Sequence, residues 1–162
     1  MRRAAPRRFR DPQAALEDFA DEILVACPRC AGCARVLPRD PADPSVFAPR
    51  RLICPACGLA RERPGGPVSF GAPRDCYFGL PLWLQAPCAG ETLWAYNERH
   101  LALMEAAIGA MLRERRRAPV LGWRNRSAAN RLPGWMKAAS NRARVLKTIA
   151  RLRARAAEGG EL

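Results

Sequence analysis

The chain turns apolar only in short pieces, and their spacing predicts most of its elements. Ile23-Leu24-Val25-Ala26 is a β-prone run that leads straight into Cys27, and Arg51-Leu52-Ile53 does the same before Cys54. Between them, Pro38-Arg39-Asp40-Pro41-Ala42-Asp43-Pro44 has the composition of a loop. Trp83-Leu84-Gln85 and Thr92-Leu93-Trp94-Ala95-Tyr96 read as two further strands about the turn Pro87-Cys88-Ala89-Gly90. The period then changes. Leu101, Met104, Ile108, Met111 and Leu112 recur at steps of three and four, which predicts an amphipathic helix over 97–117, capped by Asn97 and ended by Pro119 and Gly122.

Weaker signals lie at the two ends. Asp11-Pro12 reads as an N-cap followed by proline at the first helical position, so a short acidic helix is expected over 12–20 with Leu16 and Phe19 on one face. Ser127 reads as the cap of a short helix before Pro133. A final helix over 140–156 places Val145, Ile149, Leu152 and Ala156 on one apolar stripe, expected to face the core.

Composition narrows the classes. With 162 residues, 49% of them hydrophobic, the chain has the size of one domain, or of a small module with an appendage. No apolar run approaches the roughly 18 residues of a membrane span. The basic start, Met1 to Arg10, runs into Asp11, Glu17 and Asp18 without an apolar stretch, so secretion is not expected. The seven cysteines are an odd number, and four of them form two Cys-x-x-Cys pairs. That usage favours metal in a reducing compartment over a disulfide framework, and the cytoplasm is the expected location.

The pairs are Cys27-Pro-Arg-Cys30 and Cys54-Pro-Ala-Cys57-Gly58. A Cys-x-x-Cys turn sets two sulfurs on one side of an ion, and two such turns at strand ends close a tetrahedron, the geometry Zn²⁺ takes with thiolates. The prolines help fix each turn, and Gly58 permits the positive φ needed just after one. A redox dithiol pair or an iron–sulfur centre are the competing readings of the same spacing. Four thiolates leave no open position on zinc, so the expected role is structural and no enzyme is expected. Cys33 could compete as a ligand through Cys30-x-x-Cys33. Cys33, Cys76, Cys88 and the single histidine, His100, could in arithmetic form a second site, but they lack ligand spacing and are expected to be neither ligands nor disulfides. Asp40 and Asp43 are expected to be turn formers.

Charge is unevenly placed. Residues 112–156 hold 14 of the 28 Lys/Arg residues and one of the 15 Asp/Glu residues, so the formal +13 resides in that third and the rest is balanced. In the final helix Arg144, Lys147, Arg151 and Arg155 step by three and four into a basic row. Such a row suits a phosphate backbone, and Trp123 and Trp135 add aromatics among the cations. The plainer readings are a solvated helix face, cations Arg113, Arg115, Arg116 and Arg117 favoured at a helix C-terminus, and Trp135 as a core plug. The leading reading is nucleic-acid binding. The alternative is a protein–protein adaptor docking on a transcription or replication machine, and neither involves a membrane or a small-molecule substrate.

The stretches ILVACPRC at 23–30, LICPACG at 52–58, YFGLPLWLQAPCAGETLWAYNERHL at 77–101 and RLPGWMKAASNRARVLKTIARLR at 131–153 resemble a family of uncharacterised bacterial TFIIB-type zinc-ribbon-containing proteins. The resemblance implies one zinc on four cysteines and a mixed fold, and little about activity. The cysteine knuckles are also similar to the zinc region of the replication-restart helicase, but a GxxxxGK[ST] loop is missing, so the motor is not implied. The expected fold class is α+β. A disordered basic arm over 1–10 precedes a zinc ribbon with an antiparallel β-meander over 11–96. A C-terminal basic helical region over 97–156 packs on it, and a disordered tail covers 157–162.

Overall fold

The computed structural model describes residues 8–110, 112–113 and 127–160. The elements run β1 (Arg8–Phe9), a 3-10 turn (Leu16–Phe19), β2 (Ile23–Ala26), β3 (Cys33–Pro38), β4 (Arg50–Ile53) and β5 (Ala60–Arg63). Then come β6 (Leu84–Cys88), β7 (Glu91–Ala95), α1 (Glu98–Gly109), β8 (Leu112–Arg113), α2 (Gly134–Lys137), a second 3-10 turn (Ala139–Asn141) and α3 (Arg142–Gly160). The fold is mixed, with an antiparallel four-stranded sheet in the order β2-β3-β4-β5, a β6–β7 hairpin, and a short parallel pair of β1 with β8.

Hairpin and helix entry follow from local chemistry. Ala89 and Gly90 both have positive φ, 52° and 81°, as a two-residue hairpin turn requires. Asn97 caps α1 as its position suggested: its side-chain oxygen accepts from the His100 N–H at 3.0 Å. Its amide nitrogen donates to the carbonyls of Phe19 (2.9 Å) and Glu22 (2.8 Å), pinning the helix to the entrance of β2.

Side-chain alternation divides the interior in two. In β2, Ile23 and Val25 face one cluster with Val36, Leu52, Tyr77, Leu82 and Tyr96. Leu24, on the opposite face, joins a second cluster with Leu84, Leu93, Leu101, Ile108, Val145, Ile149 and Leu152. In β3, Cys33 likewise belongs to the second cluster, and Ala34 and Val36 to the first. The second core is built where α3 packs on α1 and β6. The expected stripe of Val145, Ile149, Leu152 and Ala156 is buried there.

Several expectations need correction. The helix expected over 97–117 ends at Gly109, Ala110 is extended (φ −72°, ψ 129°), and Leu112-Arg113 pair with Arg8-Phe9. Glycine is a poor helix former, and strand pairing takes over three residues beyond it. That pairing also draws Arg8 and Phe9 out of the expected arm. The helix expected over 12–20 is reduced to the 3-10 turn, because the segment before it pairs elsewhere. Gln13 has φ 61°, Asp11 Oδ1 accepts from the Gln13 N–H (2.8 Å) rather than capping a helix, and the Ala128 N–H donates to the Ala14 carbonyl (2.8 Å). The short helix expected before Pro133 is only a turn, in which Ser127 Oγ accepts from the Asn130 N–H at 3.4 Å; a short helix, α2, follows the proline instead. The final helix starts at Arg142 and continues to Gly160, into the expected tail. β3 and β5 are strands beyond those the apolar runs predict. Residues 1–7, Met111, Arg115, Arg116, Arg117, Pro119, Gly122, Trp123 and residues 161–162 lie outside the described residues.

Candidate metal centre

The two Cys-x-x-Cys turns fold in the same way. In the first, the Cys27 N–H donates to the Gly32 carbonyl (2.8 Å) and the Ala31 N–H to the Cys27 carbonyl (2.9 Å). In the second, the Cys54 N–H donates to the Leu59 carbonyl and the Gly58 N–H to the Cys54 carbonyl, both at 2.9 Å. The fourth residue after the first cysteine has positive φ in each turn: 60° at Ala31 and 72° at Gly58. Gly58 suits that conformation and Ala31 does not, so the first knuckle carries backbone strain that its hydrogen bonds must hold.

Strands β2 and β4 deliver Cys27 and Cys54, and the turns swing Cys30 and Cys57 across to meet them. Cys27 Sγ and Cys57 Sγ are 3.6 Å apart, as are Cys30 Sγ and Cys54 Sγ, and all four sulfurs lie within 4.8 Å of one another. A tetrahedral ion with sulfurs at about 2.3 Å would set them about 3.8 Å apart. The donor set therefore suits a thiophilic tetrahedral ion. Backbone N–H groups already point at the sulfurs: Arg29 toward Cys27 Sγ and Gly32 toward Cys30 Sγ, each at 3.4 Å.

Ionisation of the cluster also favours a cation. Burial opposes the Cys27 thiolate. The N–H groups of Cys30 and Arg29 and the thiols of Cys54 and Cys57 outweigh it and hold the thiol down at about 6. At Cys30 the Gly32 N–H favours the thiolate, but Cys54, burial, Cys57 and Cys27 push it up to about 12. Cys27 and Cys30 are thus pushed in opposite directions, as for like charges sharing one space. A divalent ion would cancel that repulsion.

The remaining candidates are scattered. Cys33 lies under the C-terminal turn of α3, where burial pushes its thiol up to about 11. Cys76 is also raised to about 11, first by burial. Cys88 is buried in the β6–β7 hairpin. His100, 2% exposed, stacks on Phe19 with ring centroids 5.0 Å apart, and its Nδ1 accepts from the Tyr96 N–H at 3.2 Å. Burial pushes its pKa down to about 4, so it is neutral with its proton on Nε2. The four knuckle cysteines are the only metal-capable group among the described residues. Asp40 and Asp43 do form turns, accepting from the N–H groups of Ala42 and Ser45, each at 2.9 Å.

On α3, Arg144, Lys147, Arg151 and Arg155 are all exposed. Arg155 is held from below: its Cζ sits 4.1 Å from the Trp83 ring centroid, and its carbonyl accepts from Trp83 Nε1 at 3.4 Å. Arg153, off the row, pairs with Glu105. Trp135 is partly buried against the helical core. Two features gave no sequence signal. Asp75 is buried, and its carboxylate accepts from the N–H groups of Tyr77 (2.8 Å), Phe78 (2.7 Å) and Leu80 (2.7 Å). The loop it folds lays Pro81–Trp83 along β2, with the Ala26 N–H donating to the Pro81 carbonyl and the Trp83 N–H to the Leu24 carbonyl, each at 2.9 Å. That places Trp83 beneath α3. The other is Arg50, 2% exposed, whose Nη2 donates to the Tyr77 hydroxyl (2.9 Å) and the Ser45 carbonyl (3.2 Å).

No helix among the described residues is long and apolar enough to cross a membrane. Comparison with family models, with curated proteins and with solved structures finds no match.

Proposed function

We propose that this is a zinc-ribbon protein in which one structural zinc ion, held by Cys27, Cys30, Cys54 and Cys57, fixes the knuckle end of the sheet, and in which the basic flank of α3 binds nucleic acid through its phosphates. The resemblance to the TFIIB-type zinc-ribbon family agrees with the metal half. When bound, the ion supplies charge neutralisation and a cross-link between β2 and β4. Four protein sulfurs would leave no position for water or substrate, so the reading is non-enzymatic. Reduced thiolates suit the cytoplasm.

One observation carries the nucleic-acid half. Arg144, Lys147 and Arg151 stand on one exposed flank with no carboxylate among the described residues within 4.0 Å. With Arg155 the row runs for about 16 Å along the helix. Glu158, three residues on, ends it. Uncompensated cations in line attract a polyanion by counterion release, with little dependence on sequence.

Fluorescence anisotropy across a salt series tests this. Arg144→Glu with Arg151→Glu leaves the apolar stripe intact, so the fold should survive. Binding should weaken for every sequence alike, and the salt slope should fall by about 0.9 for each duplex phosphate that is no longer neutralised. Absence of wild-type binding at low salt, or a double variant that binds like wild type, would remove this half and favour the adaptor.

A further inference from the structure

The row ends on an aromatic floor. Trp83 is partly buried, packed into the helical core, and its ring supports the Arg155 guanidinium at 4.1 Å. The hydrogen bond from Trp83 Nε1 to the Arg155 carbonyl (3.4 Å) fixes the indole to the same residue's backbone. One face of the guanidinium is therefore occupied by indole. Arg155 is nevertheless exposed, so a base can reach the guanidinium from solvent. A planar cation seated over an indole in this way loses little freedom when something flat lies on it.

We infer that Trp83 and Arg155 form a stacking platform for an unpaired base, so the polyanion this helix takes is single-stranded nucleic acid. The inference rests on the phosphate-binding reading of α3 and adds its substrate class. Three cations of the row, Arg144, Lys147 and Arg151, would follow the backbone, and Arg155 would present its guanidinium to the base of a nucleotide at the row's end. Arginine planes and aromatic rings are the usual supports for splayed bases. A duplex offers phosphates to the row but keeps its base faces covered, so it would forgo the platform. The platform does not select among bases, since each has a π-face.

Anisotropy with a mixed-sequence 20-nucleotide strand and the corresponding duplex, each at matched salt, decides the matter. Wild type should bind the strand roughly tenfold more tightly, the worth of one stacked base. Arg155→Lys keeps the charge and removes the plane, so the ratio of single-strand to duplex affinity should fall toward one. Circular dichroism and metal content check that this variant is folded. Equal or tighter binding of duplex by wild type would overturn the platform while leaving the phosphate row standing, as would a folded Arg155→Lys variant that keeps the full ratio. Wild type that binds neither nucleic acid, whether or not it binds phosphatidylglycerol vesicles, would overturn both. The wild-type ratio needs no variant, so the inference stays testable if Arg155→Lys misfolds.

Discussion

Gly159 lies directly over Cys33: a Cβ on the glycine would come within 2.9 Å of both the Cβ and the Sγ of Cys33, and within 3.2 Å of Trp83 Nε1. The last turn of α3 thus rests on the first residue of β3, three positions beyond Cys30.

Gly159→Ala tests that packing. In an open helix the change would gain about 1 kcal/mol of propensity. Here the added methyl meets atoms fixed in a strand and an indole, and overpacking of this kind costs about 1–3 kcal/mol. The last turn should fray, with faster amide exchange over residues 155–160. Unchanged protection there would mean that β3 and the indole can give way.

Metal removal should act on the whole sheet. Structural zinc contributes on the order of 10–16 kcal/mol of apparent binding free energy at neutral pH. Elemental analysis should find one zinc per chain. Cys27→Ser or Cys54→Ser should abolish it and lower the melting temperature sharply, whereas Cys33→Ala, Cys76→Ala and Cys88→Ala should each leave the stoichiometry at one. A result of zero or two metals in wild type would contradict the proposed site.

His100 offers a clean titration, because it is the single histidine. Burial lowers its folded pKa from 6.5 to about 4. The unfolded chain therefore binds more protons between those values, and stability present above pH 6.5 is lost as pH falls toward 4. From pH 7 to pH 5 the loss attributable to His100 is about 2 kcal/mol. Its imidazole NMR signals should stay at their neutral positions down to pH 5. A midpoint near 6.5 would show that the ring is not buried as described.

Arg50 and Tyr77 should respond unequally. The Tyr77 hydroxyl accepts from Arg50 and donates to the Val46 carbonyl at 2.9 Å. Tyr77→Phe keeps the ring beneath Arg50 but leaves the buried guanidinium with the Ser45 carbonyl as its remaining hydrogen-bond partner, at a cost of about 2–3 kcal/mol. Arg50→Met removes the charge itself and should cost less. Urea unfolding of the two variants should show that order, and the reverse order would mean that water reaches Arg50.

What was legible in the sequence was local. The knuckles announce themselves because four cysteines sit at fixed short spacing, and Gly58 marks one of the two positive-φ positions. The Asn97 cap, the Ala89-Gly90 turn and the stripe of α3 need only their own neighbours. The rest depends on partners distant in sequence. β5 reads Ala-Arg-Glu-Arg, which has no apolar alternation, and becomes a strand because β4 offers it an edge. The helix through Met111 and Leu112 had the right period, but periodicity does not register a competing strand more than 100 residues upstream. Asp75 resembles any loop carboxylate until its three N–H partners are seen. Arg155 resembled one more cation in a row; the indole beneath it comes from a residue 72 positions earlier.

The four-residue strand β2, with Ile23 and Val25 on one side and Leu24 on the other, makes the chain indivisible. A fragment carrying only the cysteine sheet would show Leu24 and Cys33 to water, and one carrying only the helices and hairpin would lack the wall that closes their core. The half that carries the cysteine knuckles therefore cannot be lent to another protein as a detachable cassette in the way a free-standing finger can, and any rearrangement that moved it would have to carry α3 along.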